Sequence, residues 1–199
     1  MNTVAWIGTA IAGACACYYI YETLFGDTKP QRVTWTVWAV AAVLGASSAY
    51  EGGAGPGAYV ASVYVGLTVI IAFLAWIPRF GAPGGEHKYD PYIFWVALAA
   101  TLAWWVFDLP AEVAAIVAVL TDVAVFWPTL RSAWLTPQNE PPLAWGGDAL
   151  AATLALVVIF SRTSDFAGWF FTLYLAVAQT LITLILIWRR SVTRESVRS

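Results

Sequence analysis

Seven apolar runs, near residues 4–25, 33–50, 57–79, 91–107, 111–130, 143–161 and 166–188, fill most of the 199-residue chain, with Gly, Pro and clustered charge between them. No other feature constrains the fold as tightly. A helix rising 1.5 Å per residue needs about 20 residues to cross a hydrocarbon core ~30 Å thick, and most of the runs meet that length; those at 33–50 and 91–107 are short. In lipid the backbone N–H and C=O groups have no water to bond, so every run is expected to be a helix in one bundle. Composition supports this: 60% of residues are hydrophobic and 11% charged, with a mean hydropathy of +0.71, where soluble domains carry roughly 25% charge. A soluble globule is excluded, and no separate catalytic domain fits beside the spans. The N-terminus has no basic stretch and no A-x-A signal, so the first run is expected to be a retained span.

The formal net charge of −2 implies no nucleic-acid partner. Position is more informative. Lys29, Arg32, Arg79, Lys88, Arg131, Arg189, Arg190, Arg194 and Arg198 fall on the side reached after odd-numbered spans, and Arg162 alone falls on the other. The positive-inside rule then places the N-terminus outside and the C-terminus in the cytoplasm of a prokaryotic inner or plasma membrane. Trp6, Trp35, Trp76, Trp127, Trp134, Trp145, Trp169 and Trp188 lie near span ends and read as interfacial anchors, not as a binding box.

A shift of 110 residues aligns the first three runs with the last three without a gap. It pairs Trp35 with Trp145, Tyr64 with Tyr174 and Arg79 with Arg189. Residues 1–80 and 111–190 are thus expected to be two three-helix repeats, joined by residues 81–110 with the fourth span and followed by a basic tail, 191–199. Three helices plus one linker keep both copies in the same orientation. The fold class expected is an all-α integral membrane protein of seven transmembrane helices, two parallel three-helix repeats in a 3+1+3 plan.

In the second repeat, Thr121 to Trp134 places Pro128 near the inner end of span five, ahead of a short polar loop that holds Glu140. This resembles the PQ-loop motif of the SWEET, semiSWEET and cystinosin superfamily, with Thr129 where that family has Gln and Tyr18-Tyr19 at the matching place in the first repeat. The vitamin-precursor transporters of the PnuC type share the 3+1+3 plan. The resemblance implies a carrier that works by alternating access, with Pro128 as a hinge. Proline also has a simpler reading, because a lost helical hydrogen bond and a clash with its i−4 carbonyl bend or end a helix anywhere.

Asp122 falls close to the bilayer midplane, where a carboxylate costs ~2.5–3.5 kcal/mol even on the lower scales. It should face the interior with a partner or a proton, and no Lys, Arg or His lies at that depth. That suits proton coupling or substrate binding, or a protonated acid joining helices. Asp148 lies about one and a half turns into span six, and cystinosin-like proteins carry a proton-linked Asp at a similar distance after the proline. An acid near a helix N-terminus is also stabilised by the dipole and can simply be wet. By repeat position, the polar path that the resemblance implies falls on Tyr64, Thr68, Tyr174 and Gln179, and on Trp38 opposite Asp148. Thr180 lies at similar depth to Gln179, and Ser47 and Ser48 can return hydrogen bonds to their own helix.

Other chemistries lack their residues. G-x-S-x-G and H-E-x-x-H are absent, both lysines lie outside the runs, and the single histidine, His87, is in a polar loop. Cys15 and Cys17, two apart, point to different helix faces and read as packing residues. The expectation is a non-enzymatic carrier of a small polar metabolite, a sugar, amino acid or vitamin precursor, with no cofactor or metal and a lipid bilayer around it. An oligomer is not required. The alternative is a non-transporting sensor or assembly protein with a closed central path.

Overall fold

The computed structural model describes residues 2–82, 90–107, 110–162 and 165–198. Seven helices follow one another: α1 (Asn2–Phe25), α2 (Arg32–Glu51), α3 (Ala58–Ala75), α4 (Asp90–Phe107), α5 (Ala111–Leu135), α6 (Pro142–Phe160) and α7 (Phe166–Arg198). Short 3-10 turns at Gly55–Gly57 and Pro137–Asn139 precede α3 and α6. Six helices among the described residues, all but the 18-residue α4, are long and apolar enough to cross a membrane. Side chains such as Ile70, Leu120, Leu150 and Leu184 are exposed within the helices, where only lipid would cover them favourably. The chain is a multi-span helical membrane protein. His87 and Lys88 lie outside the described residues.

Three helix ends differ from the expected ones, each for a local reason. α3 stops at Ala75 and not near 79, because Pro78 disfavours helical geometry at the residue before it and the chain turns with Phe80 N bonded to Ile77 O. The freed Ala75 carbonyl accepts from Arg32 Nε at 2.9 Å. α5 continues through Pro128 to Leu135, so the proline does not end the span; its side chain lies outside the described ones. α7 runs on to Arg198, because Ser191 to Arg198 contain neither Gly nor Pro, and the expected tail is its continuation.

The bundle is built from repeated kinds of pairing. α2 packs on α3 as α6 packs on α7, α1 on α3 as α5 on α7, and α2 on α5 as α6 on α1. α4 lies at the edge, against α2 and α5. Small residues permit the close approaches, as expected where dispersion contacts and not water exclusion hold helices together. Ala5 and Ala12 of α1 are fully buried, and a methyl added at Gly8 would meet the Ala151 carbonyl at 3.3 Å. A side chain at Gly45 of α2 would overlap the Phe171 ring and one at Gly52, just after α2, would overlap the Gly168 backbone, so α2 and α7 touch directly at the end where α2 finishes and α7 begins.

Candidate functional site

Where α2, α3, α5, α6 and α7 face one another, they leave a cavity of about 50 Å³. That is room for a few waters. Its polar wall consists of Tyr64 and Thr68 from α3, Asp122 from α5, Asp148 from α6 and Gln179 from α7. All five are buried, Asp122 with 8% of its surface exposed and Asp148 with 6%. Trp38 and Phe126 add apolar faces, and Phe171 closes the end next to Gly45.

The polar groups are joined in two sets. Tyr174 Oη donates to Asp122 Oδ2 at 2.6 Å, so Tyr174 stands behind the wall and holds the carboxylate, although it does not line the cavity itself. Tyr64 Oη donates to the Asp148 backbone carbonyl at 2.9 Å and lies 3.3 Å from Gln179 Oε1. A phenol has one hydrogen, so turning the Gln179 amide to donate to Tyr64 satisfies both contacts. Thr68 is committed to its own helix, donating to Tyr64 O at 2.7 Å. Asp148 Oδ1, on the wall, is buried without a hydrogen-bond partner among the described residues, and the Trp38 indole N–H is turned towards the Asp122 carboxyl.

Below the cavity, towards the end where α1 finishes and α2 and α6 begin, aromatic rings pack edge-to-face and tilted against one another. Trp35 lies 5.0 Å from Trp38 and 4.8 Å from Tyr19, centroid to centroid, and Trp145 lies 5.8 Å from Trp38. Tyr19 Oη and Trp145 Nε1 both donate to Glu140 Oε2, at 3.1 and 3.0 Å. Glu140 is 3% exposed, and burial pushes its carboxyl up to about 7 against the opposing pull of Trp145, Tyr19 and the Arg190 charge. Arg190 of α7 grips the same loop through its backbone, with Nη2 donating to Glu140 O at 2.7 Å and Nε to Pro137 O at 3.0 Å.

Several sequence expectations are corrected here. Trp35 and Trp145 are not interfacial anchors: they are buried and, with Trp38, form an aromatic floor. Trp6, Trp76, Trp127, Trp134 and Trp188 are exposed, as anchors would be. Asp148 is not wet. Thr180 faces outward with its hydroxyl bonded to Ala176 O, and Ser48 bonds back to Gly45 O as anticipated. Cys15 and Cys17 are free, with different surroundings.

Sequence reasoning passed over Tyr19 and Glu140 as functional residues. Tyr19 was visible only as the residue matching Thr129, and Glu140 only as an acid between prolines; 121 residues separate them. The described residues contain no group of three or more His, Cys, Asp or Glu able to hold a metal. Comparison with protein-family models, with curated proteins and with solved structures finds no match.

Proposed function

We propose that the chain is a membrane carrier for a small polar metabolite, built on the 3+1+3 plan of seven transmembrane helices and working by alternating access, as in the SWEET and PQ-loop proteins it resembles. One observation carries this reading: a cavity whose mostly apolar wall holds five buried polar side chains lies between α2 and α3 on one side and α5, α6 and α7 on the other, with the α2–α7 contact near one end and the aromatic floor at the other. The matched pairings of α1–α3 with α5–α7 support two equivalent bundles that rock about this cavity. In this reading Asp122 is the coupling or substrate-binding group, Tyr174 holds it, Asp148, Gln179, Tyr64 and Trp38 line the path, Thr68 fills a wall position, and Pro128 is the flexible point of α5.

The test is uptake by liposomes containing the purified protein, over a panel of sugars, amino acids and vitamin precursors, with and without a pH gradient. Uptake of at least one class above that of empty liposomes is expected, falling tenfold or more in Asp122→Asn. A chain that transports nothing on the panel supports the alternative of a non-transporting seven-helix sensor or assembly protein. Wild-type rates from Asp122→Asn at every pH remove Asp122 from the mechanism.

A further inference from the structure

The proposed path contains two buried carboxylates, Asp122 and Asp148, and no Lys, Arg or His among its lining residues. Their situations differ. Asp122 has a donor in Tyr174 and the Trp38 indole N–H turned towards it, whereas Asp148, on the same wall, has a carboxyl oxygen, Oδ1, with no donor among the described residues. An unmet buried acceptor is costly, so a native protein retains one where something else completes it. Water alone can serve. Two carboxyl groups without a basic residue among the lining, however, suit a positive charge that would hold them ionised, and the rings of Trp38 and Trp145 line the same cavity.

We infer that the cavity is a site for a small organic cation, a ligand whose ammonium group donates to Asp148 Oδ1 beside the indoles. The inference rests on the carrier reading for the passage of the ligand, but binding can be measured without transport. At about 50 Å³ the cavity selects compact ligands. A neutral polyol satisfies the hydrogen bonds but leaves the carboxylates without a counter-charge; an anion is repelled. Selectivity for charge, more than for shape, is therefore the signature of the site.

Three probes of matched size separate these cases: ethanolamine, ethylene glycol and glycolate, titrated at constant ionic strength and pH 7.5 into the full chain in detergent micelles, with tryptophan emission as the readout. Ethanolamine is expected to saturate the signal, with ethylene glycol and glycolate at least tenfold weaker. Asp148→Asn should weaken ethanolamine tenfold or more, and Trp38→Phe, which leaves a smaller aromatic surface beside the ammonium, about threefold. Should Asp148→Asn fail to give monodisperse protein, Trp38→Phe decides in its place. Equal binding of ethylene glycol, or unchanged ethanolamine affinity in the variant, overturns the inference. Liposome uptake keeps the two proposals apart: transport of a neutral solute without ethanolamine binding overturns the cation site and leaves the carrier, and ethanolamine binding without transport of any solute does the reverse.

Discussion

Asp122 and Tyr174 meet across 52 residues of sequence, and their hydrogen bond is the shortest on the cavity wall. Tyr174→Phe removes a donor from a buried carboxylate and should destabilise the protein by ~1–3 kcal/mol; in an Asp122→Asn background the same change should cost clearly less. Denaturation midpoints of the four proteins check this, and additivity of the two changes would deny the bond any energetic role. Glu140 makes a second prediction. Its carboxyl titrates near 7 when folded, above its ordinary 4.5, so the folded state holds a proton that the unfolded chain releases. Stability should therefore be greatest below about pH 4.5, as far as this group is concerned, and fall as pH rises towards 7 by up to ~1.4 kcal/mol per pH unit. Glu140→Gln keeps an oxygen that accepts from Tyr19 and Trp145 and should flatten that slope while raising the melting temperature at pH 8. At this scale the sequence was legible where depth alone sets the cost, as at Asp122, because a carboxylate in a long apolar run has to face inward. Its partner was not, since nothing local shows which helix lies opposite.

Elements were the most legible level. Lipid allows the backbone few options besides the helix, and all seven runs became helices with starts within two residues of expectation. The misjudged ends came from reading hydropathy without backbone chemistry. Pro78 carried the signal for an early stop of α3, and the absence of Gly and Pro after Arg190 carried the signal for a longer α7. Trp35 and Trp145 were misjudged for a related reason: a position near a helix end was equated with a place at the membrane surface, whereas both side chains point into the bundle. Close helix approach makes a further prediction. Gly45→Ala places a methyl on the Phe171 ring between α2 and α7 and should cost ~1–3 kcal/mol, read from thermal denaturation, while Gly66→Ala, where a Cβ meets nothing within 4 Å, should be neutral or slightly stabilising. Equal effects at the two sites would mean that α2 and α7 are not in direct contact there.

For the molecule as a whole, the distribution of Lys and Arg predicts orientation. In a Cys15→Ala, Cys17→Ala background, an impermeant thiol reagent applied to intact cells should label Glu51→Cys and leave Gln138→Cys unlabelled until the cells are opened. The reverse pattern would invert the proposed topology. The basic residues have a further role at that end: Arg32 bonds the last carbonyl of α3, Arg189 bonds Trp134 O in the last turn of α5, and Lys29 bonds Arg79 O. Arg190 reaches further than any of these. By holding backbone carbonyls of the 137–140 loop, it makes that loop a passenger of α7, and the same loop carries the acceptor for Tyr19 of α1. A tilt of α7 that widened the space beside Gln179 would draw Glu140 away from Tyr19 in the same stroke. In the proposed carrier, unlatching and opening would be geared together through this guanidinium, and Arg190→Ala would leave a latch that no longer follows the helix.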